Sequence, residues 1–176
     1  KDLPLPGDHA MMAAPLTWNA IMPTSQALLD DPHWQQHCEA AALDPERRLA
    51  ARLAVLQNSH SLEATLYRPD HEDPDAEEND LGEACVELRG VFEPPQDWDA
   101  AEREEYYDGE DPQTFFSARV ECQARPGSTD FFQPEPGDLL AVTEADGRVQ
   151  MYYLYESFED DDGWQCVLIR EDEVLA

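Results

Sequence analysis

The stretch "LLAVTEADGRVQMYYLYESFEDDDGWQCVLIRED", Leu139 to Asp172, holds three strand-forming runs separated by two turn signals, and it sets the fold class. Asp146–Gly147 is the favoured central pair of a type I′ hairpin, whose two residues both need positive φ. A two-residue loop there predicts Val142 opposite Met151 and Leu140 opposite Tyr153 on one face, with Thr143 meeting Gln150 on the other. The second turn signal, Glu159–Gly163, leads the chain into a last strand over "WQCVLIRED". The end of the chain therefore reads as an antiparallel meander.

Upstream, apolar residues recur every second position, as they do in half-buried strands. Leu62, Ala64 and Leu66 alternate with polar neighbours, as do Ala84, Val86 and Leu88 up to Gly90, where a change of phase predicts a bulge. Phe116, Ala118, Val120, Cys122 and Ala124 share one face of a further strand. Between these last two, "PPQDWDAAEREEYYDGEDP" is an insertion with a short helix, capped by Asp97 and ending near Tyr107.

Before Ser59 the period is 3.6. Asp31–Pro32 and Asp44–Pro45 each place an N-cap before a proline at the first helical position. They predict helices over 32–42 and 45–58, the second with Leu49, Leu53 and Leu56 along its apolar stripe and Arg47, Arg48 and Arg52 off it. Thr24 or Ser25 starts a brief helix over "SQALLDD". The expected architecture is α+β, an N-terminal helical hairpin packed on a five- to six-stranded, mostly antiparallel sheet. Residues 1–30 form an extended Pro-rich arm with a short helix. Residues 31–176 form a single domain, with the hairpin over 31–58 and an acidic sheet with loop insertions over 60–176.

A domain of 176 residues buries roughly 70% of its unfolded surface, so it needs neither metal nor disulfide to fold. Cys38, Cys85, Cys122 and Cys166 form no CxxC pair and read as reduced thiols of a cytoplasmic protein. No apolar run reaches the length of a membrane helix. The net charge of −29 is uneven: residues 1–68 hold five basic and eight acidic side chains, a net −3, while residues 69–176 hold six and thirty-two, a net −26. Such a field disfavours direct nucleic-acid binding and anionic membranes, and it favours basic partners.

Catalytic and metal motifs are weak. An EF-hand aligned on Gly163 has carboxylates at its third and fifth positions (Asp160, Asp162) but Phe158 and Ile169 at its first and twelfth. His33 and His37 share a helix face as metal ligands do, yet no Glu follows His33 and no third ligand is evident. All five histidines precede residue 72, there is no G-x-S-x-G elbow or P-loop, and Lys1 is the only lysine. No cofactor is expected.

What the charge suggests instead is mimicry. Same-face residues on a strand lie about 6.6–6.8 Å apart, close to twice the 3.4 Å charge spacing along one DNA strand. The residues expected to meet a partner are Trp98, Glu102, Glu105, Tyr106, Tyr107, Glu156, Phe158, Asp160, Asp162 and Trp164, carboxylates interleaved with aromatic anchors. The expected function is a non-catalytic binding protein that occludes a basic partner, a nuclease or other nucleic-acid-binding protein, as an immunity protein, antitoxin or DNA-mimic inhibitor does. The alternatives are a carboxylate-using or metal-dependent enzyme or small-ligand module, and a structural subunit of a larger assembly.

Overall fold

The computed structural model describes residues 24–175; of the arm expected over residues 1–30, the part over 1–23 lies outside them. Six strands, β1 (Leu62–Arg68), β2 (Asn79–Val91), β3 (Phe115–Cys122), β4 (Leu139–Thr143), β5 (Val149–Asp160) and β6 (Gly163–Leu175), form a closed antiparallel barrel in the order β1-β2-β3-β6-β5-β4. The expected α+β architecture, a helical hairpin packed on a five- to six-stranded sheet, is thereby corrected to a mostly-β closed barrel with few and mostly short helices. β1 pairs on its second edge with β4 through Ala64–Val142, Thr65–Ala141, Leu66–Leu140 and Tyr67–Leu139, so the sheet has no free first and last strand. Register shifts at Leu66/Tyr67, Leu88/Gly90, Gln150/Tyr152 and Leu154/Glu156 mark bulges, which bend strands into the curvature that closure requires.

The interior is filled by Leu66, Val86, Val120, Leu140, Val142, Tyr152, Leu154 and Leu168, with the small residues Ala64, Ala84 and Ala118 among them. A six-stranded barrel is narrow, and alternating large and small residues fit its bore. Arg68, at the end of β1, makes a bidentate fork to the buried Asp138 just before β4, with Nε and Nη2 donating at 2.9 and 3.0 Å. That fork fastens one end of the β1–β4 seam.

The register of the β4–β5 hairpin also differs from the expected one. Leu140 pairs with Tyr152 and Val142 with Gln150, one residue away from the Tyr153 and Met151 pairing. The loop holds three residues, Ala145–Gly147: the Gly147 N–H donates to the Glu144 carbonyl and the Glu144 N–H to the Arg148 carbonyl. Gly147, at φ +85°, takes the left-handed position alone, as in a type I turn followed by a one-residue bulge. A one-residue slip exchanges inside for outside, so Tyr152 and Leu154 point inward while Met151 and Tyr153 lie on the outer wall.

The helices lie outside the barrel and are few. α1 (Ser25–Leu29) is capped by Thr24, α2 (Pro32–Ala40) by Asp31 and α3 (Pro45–Leu56) by Asp44. α4 (Ala100–Tyr107) lies in the β2–β3 connection, and its cap is Asp99 rather than Asp97: the Asp99 and Glu102 side chains accept from each other's backbone N–H groups in a capping box. The α2–α3 hairpin covers the outer wall rather than forming one face of the core. No helix of the described residues is long and apolar enough to cross a membrane.

The register is tested by paired truncations. Leu154→Ala, which empties an interior site, is expected to lower unfolding stability by about 2–5 kcal/mol in urea denaturation, and Met151→Ala by well under half of that. The reverse ranking would restore the register read from the sequence.

Candidate functional site

Helix α3 turns two faces to the protein. Leu49 and Leu53 meet Trp34, Leu28 and Leu29 of the preceding helices, forming a small satellite core. Arg48, Arg52 and Val55, spaced i, i+4 and i+7, face the barrel wall and are buried. Arg48, 1% exposed, reaches Glu121 on the outer side of β3, with Nη1 2.8 Å from Oε1 and Nη2 donating to Oε2 at 3.0 Å. The Nη1–Oε1 approach is a close ion contact without hydrogen-bond alignment. On its other edge Arg48 Nε donates to Glu159 Oε2 at 2.9 Å, an oxygen that also lies 2.8 Å from His37 Nε2. The guanidinium carbon sits 5.8 Å from the centroid of the Trp34 ring, within cation–π range.

The acidic run Glu159–Asp162 at the β5–β6 turn therefore has its basic counterpart inside the chain. Asp162 accepts two hydrogen bonds from Arg47 Nη2 at 2.9 Å and one from Nε at 3.1 Å. Asp161 accepts from the Asp44 N–H at 2.8 Å, tying the start of α3 to the turn. Asp160 accepts from the Asp162 N–H and from Gln165 Nε2, closing the turn on itself. Gly163, at φ +115°, lets the turn come close to this cluster, since a Cβ there would fall 3.2 Å from Glu121 Oε1. Burial alone would raise the Glu159 carboxyl, but the hydrogen bonds and charges of His37 and Arg48 outweigh it and hold it below its ordinary value.

A second constellation lies in the β2–β3 connection. Tyr106 is its hub: ring centroids of Phe92, Trp98, Tyr107 and Tyr155 lie 5.0–5.5 Å away. Tyr107 packs edge-on to Phe115 at 4.8 Å. The Tyr106 hydroxyl donates to Glu156 at 2.7 Å, and the Tyr155 hydroxyl donates to the Tyr106 carbonyl. Burial, reinforced by the Glu156 carboxylate, raises the Tyr106 phenol well above its ordinary value and keeps it a donor. Rings clamp α4 to the barrel wall while its carboxylates face water: Glu102, Glu104 and Glu105 are exposed. Segment 92–114 carries nine acidic residues against Arg103 alone, and none of the ion pairs among the described residues involves it.

The ten residues expected at a partner surface thus fall into two groups. Trp98, Glu102, Glu105, Tyr106, Tyr107 and Glu156 belong to the α4 platform, with Tyr107 buried beneath it. Phe158, two residues along β5 from Glu156, is 59% exposed. Asp160 and Asp162 belong to the turn that holds the helices, and Trp164 packs against the barrel core. His37 is engaged by Glu159, and the His33 ring lies over Gly127, where a Cβ would come within 2.4 Å of it. Among the described residues no three His, Cys, Asp or Glu side chains are grouped to hold a metal. All four cysteines are free, and burial pushes each thiol above its ordinary value, so none is a poised thiolate. Sequence reasoning passed over Arg48, Arg52, Glu121 and Glu159. The one available signal was the shared i, i+4, i+7 spacing of Arg48, Arg52 and Val55.

Compared with known proteins, the chain matches no family model, no curated protein and no solved structure.

Two outcomes follow from the buried network. Arg48→Met removes the partner that Glu121 and Glu159 share and is expected to cost about 3–5 kcal/mol in urea unfolding, whereas Arg48→Lys, which keeps the charge, is expected to cost less; equal losses would refute charge pairing as the cause. Because the folded value of Glu159 is depressed, its contribution is present above the ordinary carboxyl value of 4.5 and is lost as pH falls through the folded one. Wild-type stability is therefore expected to drop more steeply below about pH 4.5 than that of Glu159→Gln, as read from thermal midpoints across pH 2–6.

Proposed function

We propose that this chain is a non-catalytic, cytoplasmic binding protein whose α4 platform engages a basic protein and occludes its cationic surface. The observation that carries this reading is the unneutralised charge of segment 92–114, nine carboxylates with one arginine and no ion pair among the described residues. A capped helix clamped by a ring cluster holds these charges in place, so a partner does not have to order them on binding. The exposed Phe158 beside Glu156 supplies an apolar anchor at the margin of the charged face, the mixture that interfaces favour. The β1–β2 connection adds to the field, with seven acidic residues and no Lys or Arg over 69–80. A fixed array of carboxylates suits a partner that itself binds polyanions, such as a nuclease or another nucleic-acid-binding protein, and this gives the occlusion its inhibitory sense. The acids of the β5–β6 turn stand apart from this reading, because Arg47, Arg48 and His37 already answer them. A small-ligand module is a second reading, favoured by one observation, a groove beside α3.

The test is positional. Glu104→Gln/Glu105→Gln/Glu110→Gln and Glu72→Gln/Glu77→Gln/Glu78→Gln remove the same charge from two places. A basic protein retained from native lysate at low salt and released by rising salt is expected to lose affinity about tenfold or more with the first variant and little with the second. Equal losses would reduce the effect to net charge, and retention by the first variant would exclude the platform.

A further inference from the structure

Between helices α1–α3 and the outer wall of the barrel runs a groove of about 750 Å³, a volume within the range of about 300–1,000 Å³ typical of small-molecule sites. Its apolar lining comes from Leu28, Trp34, Leu49, Leu53 and Leu56, and Cys85 of β2 lies on the opposite side. Arg52 reaches the groove from α3. It is 7% exposed, yet its side chain makes one hydrogen bond, from Nη2 to the Ala124 carbonyl at 3.0 Å. Its nearest carboxylate oxygen, Glu121 Oε2, is 3.6 Å from Nη1 and already accepts from Arg48 Nη2 at 3.0 Å. Glu159, the other carboxylate on Arg48, lies on its far edge with His37. Two buried guanidiniums thus share Glu121, and Arg52 holds the weaker share. A guanidinium carries five donors, and Arg52, with one neutral carbonyl and a 3.6 Å share in Glu121, has donors to spare. Burial lowers the Arg52 pKa from its ordinary value, with Glu121 offsetting only part of the effect.

We propose that this groove binds an amphipathic monoanion, a carboxylate with a straight apolar chain, its head on Arg52 and its chain along Leu49, Leu53 and Leu56. A carboxylate matches the planar fork of the guanidinium and supplies an acceptor that Arg52 need not share with Arg48. The leucines and Trp34 supply the desolvated wall along which a hydrocarbon chain gains free energy, about 0.8 kcal/mol for each CH₂ buried. Asp31, Glu63 and Asp130 also border the groove, with Arg125 as a second cation; the three carboxylates outnumber the two guanidiniums, and with the net charge of the chain they disfavour polyanions. The ligand class is therefore one charge on a long apolar body. The site is separate from the α4 platform and does not depend on the reading given to it.

The probes are dodecanoate and the uncharged dodecanol of equal chain length, titrated into the full chain by calorimetry. Dodecanoate is expected to bind one to one and about tenfold or more tighter than dodecanol, the worth of a charge-assisted hydrogen-bonded head. Arg52→Gln is expected to abolish that preference while leaving dodecanol binding in place, and Arg52→Lys to keep part of it. Leu53→Glu, at a half-buried position on the groove wall, is expected to weaken both probes while circular dichroism reports the fold retained. Bound dodecanoate also shields Cys85, the least buried of the four cysteines, from alkylation. The Glu104→Gln/Glu105→Gln/Glu110→Gln variant is expected to bind dodecanoate as the wild type does, which keeps this test apart from the one on the platform. Equal affinity for the two probes would overturn the role of Arg52. No binding of either probe would overturn the site.

Discussion

Everything else in this structure depends on four backbone pairs, Ala64–Val142 to Tyr67–Leu139, by which β1 finds β4. They turn a curved sheet into a tube, and with it define an inside. Without that seam the apolar faces of β1 and β4 would need a covering layer, and the helices would have to supply it. With it, the interior is sealed by the sheet alone, and the α2–α3 hairpin is free to pack on the polar outer wall. The Arg68–Asp138 fork at the end of the seam places a doubly hydrogen-bonded charge pair, with Asp138 buried and Arg68 half-buried, where the two strands diverge.

Because the helices meet an outer wall, their attachment is electrostatic in large part. Strand alternation leaves Glu121 pointing outward from β3, and a helix laid over it must answer that charge. Arg48 does so, and the β5–β6 turn completes the shell with Glu159. Replacing such a network by apolar residues of matched shape often costs nothing in stability, so the ion pairs fix the position of the helices more than they strengthen the fold. The acids of this protein accordingly have two roles. Those at the β5–β6 turn hold the helices in place, and those on α4 are held by their rings without a charged partner.

Local features were legible in the sequence to the extent that their causes are local. Asp31–Pro32 and Asp44–Pro45 start α2 and α3, because the cap and the proline act within one turn. The phases of Leu62–Leu66, Ala84–Leu88 and Phe116–Cys122 gave the inward faces correctly, because side-chain alternation is a property of a single strand. Closure was not legible, since nothing within Leu62–Arg68 records a partner more than seventy residues away. The β4–β5 register failed by one residue, because Asp146–Gly147 suits both a two-residue loop and the last two positions of a three-residue one; the Glu144–Arg148 hydrogen bond decides between them. The carboxylates were counted rightly but could not be sorted, because pairing with Arg47 and Arg48 is a fact of tertiary structure. The aromatic residues of the α4 insertion were visible as a cluster, although Tyr107 lies beneath the platform and Trp164 belongs to the barrel.

The attachment of the helices to Glu159 and Asp162 has a bearing on biosynthesis. A chain emerges from its amino end, so α2 and α3 are made long before the turn whose carboxylates receive Arg47, Arg48 and His37. The same delay applies to β1, which waits for β4, and to β3, which waits for β6. The nascent chain therefore has no complete barrel and no docked helical layer until almost all of β6 has been translated. Folding of this architecture waits for β6, and until then the leucine-rich face of α3 is exposed, available to whatever attends the ribosome exit.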